Sequence, residues 1–225
     1  MRLKISTVGE SVLRQQARPL ASVEIRSTRI KQLIEHMRET MNDAPGVGLA
    51  APQIGMPLQL AVIEDKPEYF AGLSPEQIAE RQRKPVPFHV IINPVLQLQS
   101  VPDAEFFEGC LSLPGYTAIV PRAHSVRVEC LDHSGTMQVI KASGWYARIL
   151  QHEIDHLHGT LYPDRMLGRT FCSLDNHVRF WKNKTAAEIK AAVGLYSPGA
   201  ILPLSFSSCD CPGWSYCRVQ PGSCS

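Results

Sequence analysis

The pentapeptide His152-Glu153-Ile154-Asp155-His156 constrains this chain more than any other feature. It lies in a stretch, Ser143 to His158, that reads as a helix closed by Gly159. Histidines at i and i+4 sit one turn apart on the same helical face, so one metal ion can take both imidazoles. Glu153 is rotated about 100° from His152 around the axis, which lets its carboxylate approach a water on that ion. Trp145, Ile149, His152 and His156 are spaced by 4, 3 and 4 and line one stripe. Two apolar groups beside two ligands resemble a hydrophobic pocket next to a metal. Leu150, Ile154 and Leu157 form a neighbouring stripe expected to face the core. An isolated pair of this kind also occurs on surface helices with two solvated histidines, so a third ligand is what decides.

A catalytic site of this type usually has three protein ligands and one open position. Past Gly159 the candidates are Asp164, Asp175, His177 and Glu188, none in a recognised spacing. The better candidate lies upstream, in Glu108-Gly109-Cys110-Leu111-Ser112-Leu113-Pro114-Gly115, where the Cys110 thiolate is expected on a turn after Gly109. A lone cysteine is more often a small buried apolar residue, but this glycine-flanked setting makes a core role less natural. Arg122 is expected either to pair with Glu108 near this turn or to stay solvated.

The rest of the chain supplies the frame. Ser27 to Asn42 reads as an amphipathic helix through Ile30, Leu33, Ile34, Met37 and Met41. Strands are expected at Leu58–Ile63, Phe88–Ile92, Val95–Leu98, Ala118–Val120, Ser125–Leu131 and Met137–Ile140. Asp132 to Gly135 reads as a hairpin turn. Residues 66 to 87 are polar and proline-containing and read as a surface insertion, with a short helix starting at Ser74-Pro75. The 225 residues suffice for one domain with a tail, and 44% hydrophobic content suffices for a core. The expected division is a catalytic domain at 1–192 and a Cys/Pro/Gly/Ser-rich, poorly ordered tail at 193–225 that carries Cys209, Cys211, Cys217 and Cys224. A net charge of +2 excludes the strongly basic footprint of a dedicated nucleic-acid binder. No run approaches the roughly 20 apolar residues that span a bilayer. With no signal or transit segment visible at Met1, the expected location is the cytoplasm; a processed organellar form would look the same.

Three segments together resemble the peptide deformylases, in that family's order. They are GVGLAAPQIG (Gly46 to Gly55), EGCLSLPG (Glu108 to Gly115) and QHEIDHLHG (Gln151 to Gly159). The resemblance covers about residues 5 to 181, and the insertion and the Ser143-Gly144-Trp145 run are similar to longer type 1 members. It implies an α+β fold with strands wrapped around a central helix bearing the metal histidines. It implies metal ligation by Cys110, His152 and His156, with Fe(II) the usual ion and Zn(II) the alternative. It implies Glu153 as acid/base, with Gln53 and the Leu111 N–H as oxyanion donors. By motif position Val47, Phe106, Trp145 and Ile149 would line a methionine pocket, and the backbone around Gly48 and Gly109 would hold the peptide.

The implied activity is removal of the formyl group from N-formylmethionyl nascent peptides, with formate released. Lys182 to Val193, mildly amphipathic and basic at its start, would either dock on the ribosome or pack on its own domain. Two other functions compete: another HExxH hydrolase such as a peptidase, and a non-catalytic metal-binding or ribosome-associated module. Cys110 and the Gln53 motif argue against the first, and retention of Glu153 against the second.

Overall fold

The computed structural model describes residues 1–195, of which Met1–Leu195 form one compact unit. Most of the tail expected at 193–225, with its four cysteines, lies outside the described residues. Among those residues the strands are β1 (Gly48–Ala50), β2 (Leu60–Asp65), β3 (Val86–Leu98), β4 (Ala104–Cys110), β5 (Leu113–Arg122), β6 (Ser125–Leu131), β7 (Met137–Ser143) and β8 (Cys172–Ser173). The α-helices are α1 (Ser22–Ile25), α2 (Thr28–Asp43), α3 (Pro75–Arg81), α4 (Gly144–Leu157), α5 (Leu174–Asn176) and α6 (Ala186–Ala192). The strands make a five-stranded sheet in the order β1-β2-β3-β6-β7 and a three-stranded sheet in the order β4-β5-β8. Helix α4 packs against β1, β2, β3, β6 and β7. This is the α+β arrangement expected, with strands around a central helix that carries both histidines.

Local chemistry accounts for the helix ends. The Ser27 hydroxyl accepts from the Ile30 N–H at 3.3 Å and starts α2. The Ser74 hydroxyl does the same for Gln77 at 3.3 Å, with Pro75 at the first helical position of α3. The apolar stripe of α2 (Ile30, Ile34, Met37 and Met41) is buried against Leu49, Leu60, Val62, Val90 and Ile92. The α4 stripe of Leu150, Ile154 and Leu157 is buried with Ile63, Ile91, Val126 and Val128. Burying each of these large side chains contributes about 1.5–3 kcal/mol, so α4, which carries both histidines, is held by the core rather than by its own propensity.

Three strand expectations are corrected. Phe88–Ile92 and Val95–Leu98 belong to one strand, β3, whose register shifts between Ile92 and Val95. Asn93 adopts φ 49° there, just ahead of Pro94, and its side-chain amide clasps both the N–H and the C=O of Leu20 at 2.8 Å. Strand β4 has no counterpart among the expected strands, and β5 starts at Leu113 rather than Ala118. Cys110 therefore ends a strand instead of sitting on a turn: it pairs with Leu113 across a reversal at Leu111 and Ser112. The segment Lys182 to Val193 contains α6, which packs on its own domain through buried Ile189 and an ion pair between Lys190 and Glu105 at 2.6 Å.

Candidate metal centre and cleft

Cys110 and α4 come from different sheets' surroundings and meet at one point. The register shifts between Glu108 and Cys110, where two steps along β4 oppose five along β5, from Ala118 to Leu113; the extra residues bulge from β5 beside the strand end that carries Cys110. The Cys110 sulfur lies 3.3 Å from His156 Nε2. One donor atom each from Cys110, His152 and His156 fall within 4.8 Å of one another. A thiolate with two imidazoles is a donor set for Zn(II) or Fe(II), and the residues present fit one such ion. Burial opposes ionisation of Cys110, but His156 and His152 outweigh it and hold the thiol well below its ordinary value.

His152 is oriented from behind. Its Nδ1–H donates to Glu108 at 3.0 Å, which leaves Nε2 as the donor toward the cluster. Glu108 is itself gripped by Arg122 through two bonds of 2.9 Å and by Arg148 at 2.6 Å. Burial alone would raise the Glu108 carboxyl, yet Arg122 and His152 reverse that and keep it ionised well below the usual carboxylate range. Arg122 also reaches Asp155, which holds Arg165 through two bonds of 2.7 Å. Of the two expectations for Arg122, the ion pair is the one observed.

Glu153 is 3% exposed, and its Oε2 has no partner among the described residues. Burial pushes its carboxyl up to about 6, against the opposing charges of His152 and His156. Gln53 sits in the turn Ala51–Ile54, where Oε1 accepts from the Ala50 N–H at 2.8 Å. Its Nε2 donates to the Ser112 hydroxyl at 3.2 Å and to the Cys110 sulfur at 3.5 Å. The N-terminal segment clamps both motifs from outside, through Ser6 N–H to Gln53 O at 2.7 Å and Val8 N–H to Ser112 O at 2.8 Å.

These groups border a cleft of about 590 Å³, within the range of pockets that hold small ligands. Val47, Gly48, Gln53, Gly109, Cys110, Leu111, Trp145, Ile149, His152 and Glu153 all line it, with His156 buried beneath. Phe106 does not line it and is withdrawn as a pocket residue; Phe107 does. Alternation along β4 explains the difference, since adjacent residues face opposite sides of a strand. Phe106 instead meets the Trp145 ring edge-on at 6.2 Å. Sequence reasoning also missed Arg83, Arg148, Tyr116 and Leu174 on the cleft wall. Arg148, three residues after Trp145 on the same helix, was the one within reach of a helical-spacing argument.

The fold and the site define an α+β protein in which an HExxH helix and a strand-borne cysteine bring together three donors able to hold a metal ion. The chain belongs to the polypeptide deformylase family, whose model matches residues 2–170. It is 47% identical over 172 residues to the chloroplastic peptide deformylase 1A of Solanum lycopersicum, covering 76% of this chain and 62% of that protein. The chain thus spans less than two thirds of that plant relative. It is 41% identical over 197 residues to peptide deformylase 1 of Streptomyces coelicolor, covering 88% of each. Among solved structures, the Met-Ala-Ser-bound class I type b peptide deformylase of Acinetobacter baumannii matches with a TM-score of 0.66 at 32% identity. That match covers 74% of this chain and 99% of the other. No helix among the described residues is long and apolar enough to cross a membrane.

Proposed function

We propose that this chain hydrolyses the N-terminal formyl group of formylmethionine on newly made polypeptides, releasing formate and a free amino terminus. The observation that carries this reading is the convergence of Cys110, His152 and His156 within 4.8 Å, beside buried Glu153 and Gln53 in one cleft. Family membership and the Met-Ala-Ser peptide named for the Acinetobacter structure support it.

We assign metal ligation to Cys110, His152 and His156. A divalent cation held there supplies Lewis acidity to the formyl carbonyl and lowers the pKa of a water. Glu153 takes the proton from that water as its oxygen bonds to the formyl carbon. Gln53 Nε2–H and the Leu111 N–H donate to the former carbonyl oxygen as charge builds there, each worth roughly 3 kcal/mol in the transition state. The C–N bond then breaks, and Glu153 hands its proton to the departing amine nitrogen. Val47, Trp145 and Ile149 hold the methionine side chain, and the backbone at Gly48 and Gly109 pairs with the peptide.

Fe(II) is the proposed ion and Zn(II) the second choice, since the donor set suits both. The catalytic unit is residues 1–192. The site of action is the cytoplasm or an organelle that makes formylated chains, the latter supported by the chloroplastic tomato relative. A ribosomal partner would meet the exposed side of α6, opposite buried Ile189.

Gly48 gives a specific prediction. A Cβ there would lie 2.2 Å from Glu153 Oε1, so Gly48→Ala must displace the carboxylate. Its kcat is expected to fall at least about a hundredfold, the scale of a lost acid/base, while metal content measured by elemental analysis stays at one ion. The function itself is tested on three peptides: formyl-Met-Ala-Ser, its N-acetyl analogue and an unblocked longer peptide. Formate from the first alone is expected. Internal cleavage of the third would favour the peptidase reading instead.

A further inference from the structure

The insertion between β2 and β3 does more than cover surface. Arg83, near its end, lines the cleft. Its guanidinium is fixed by two parallel bonds of 2.8 Å to Asp65, a carboxylate only 1% exposed at the end of β2. So held, the guanidinium stands 4.9 Å from the ring of Phe70 and 5.1 Å from that of Trp145. Trp145 lies on α4 about two helical turns before His152. Arg148 stands 5.8 Å from the same ring, and Phe106 meets it edge-on at 6.2 Å. The insertion is seated tightly here: at Gly144, φ +60°, a Cβ would come within 2.6 Å of the Arg81 carbonyl oxygen.

We infer that Arg83 is a positioning residue that fixes the Trp145 wall of the cleft and thereby sets which N-terminal side chain the cleft accepts. The inference rests on the deformylation reading above. A guanidinium is planar and can stack on an indole while its fork is engaged by a carboxylate; an ammonium offers only a point charge. Anchoring to Asp65 makes that plane rigid, so the ring has one resting place. Apolar pockets distinguish side chains differing by a methylene by roughly 10–200-fold, and that discrimination is lost when a wall can move.

The test must separate positioning from plain structural support. Arg83→Met alone strands a buried Asp65 charge and can unfold the protein. The double variant Asp65→Leu with Arg83→Met removes both charges, and Arg83→Lys keeps the charge without the plane. Wild type is assayed first with formyl-Met-Ala-Ser and formyl-Leu-Ala-Ser; absence of formate from both overturns the deformylation reading itself. With wild type active, both variants are expected to keep one ion per chain and a kcat within twofold. KM for the methionine peptide should rise about tenfold, equivalent to about 1.4 kcal/mol, and the Met-over-Leu preference should fall about tenfold. Wild-type KM and preference in the double variant overturn the inference. If the double variant does not fold, the same readings on Arg83→Lys decide it.

Discussion

Glu153→Gln retains its metal and loses kcat by about 10²–10⁴-fold, the range of acid/base contributions. The amide has the shape of the carboxylate but cannot accept a proton. Glu153 is not among the three converging donor atoms, so the ion has no reason to leave. The loss should be large because Glu108, the other carboxylate on the cleft among the described residues, is already held by Arg122, Arg148 and His152. Glu153 Oε2 is buried without a partner among the described residues, and its carboxyl, raised to about 6 by burial, is a base matched to near-neutral conditions. Elemental analysis and steady-state kinetics on the same preparation check both halves. A metal-replete Glu153→Gln variant with wild-type kcat would remove Glu153 from the chemistry.

Glu108→Ala acts through stability and through the ion. The substitution deletes the shared partner of Arg122 and Arg148, both 3% exposed. Removing one member of a buried pair costs about 3–5 kcal/mol, because the remaining charge is left without compensation. Arg122 keeps Asp155 as a second partner, so Arg148 bears most of that cost. His152 also loses the acceptor that orients its ring, and such a loss weakens metal binding about 10–100-fold. Denaturant unfolding and a competitive metal titration measure the two effects separately. A stability loss under about 1 kcal/mol with unchanged metal affinity would mean that this network does not support the centre.

How far the sequence exposes this molecule depends on whether the signal is local. The α2 and α4 stripes are periodic within one segment, and β6 alternates cleanly between Val126, Val128 and Cys130 on the buried side and Arg127 and Glu129 on the other. These elements are legible. Strand β4 is not, because Glu105-Phe106-Phe107-Glu108 carries no alternation of apolar and polar residues. Pro114 and Gly115 disguise the start of β5 as a turn, and Asn93-Pro94 splits β3 in two.

The site follows the same rule. Two histidines one turn apart announce themselves, and the motif-borne Cys110, Gln53 and Glu153 arrive at the same cleft. Choosing Phe107 over Phe106 needs the strand phase, which is set by pairing with β5. At the Glu108 hub the Arg122 pair is among the sequence expectations, but Arg148 and His152 come from 40 and 44 positions away, and Arg83 reaches Trp145 only because the insertion folds back. Such contacts are made by tertiary packing, and no local pattern encodes them.

The most direct measurement is formate released from formyl-Met-Ala-Ser as anaerobic Fe(II) is titrated into metal-free protein, with Zn(II) in parallel. The predicted result is a rate that climbs in proportion to bound metal and stops at one ion per chain. Full occupancy of Cys110, His152 and His156 by Fe(II) and by Zn(II), with folded protein and no formate, would contradict it.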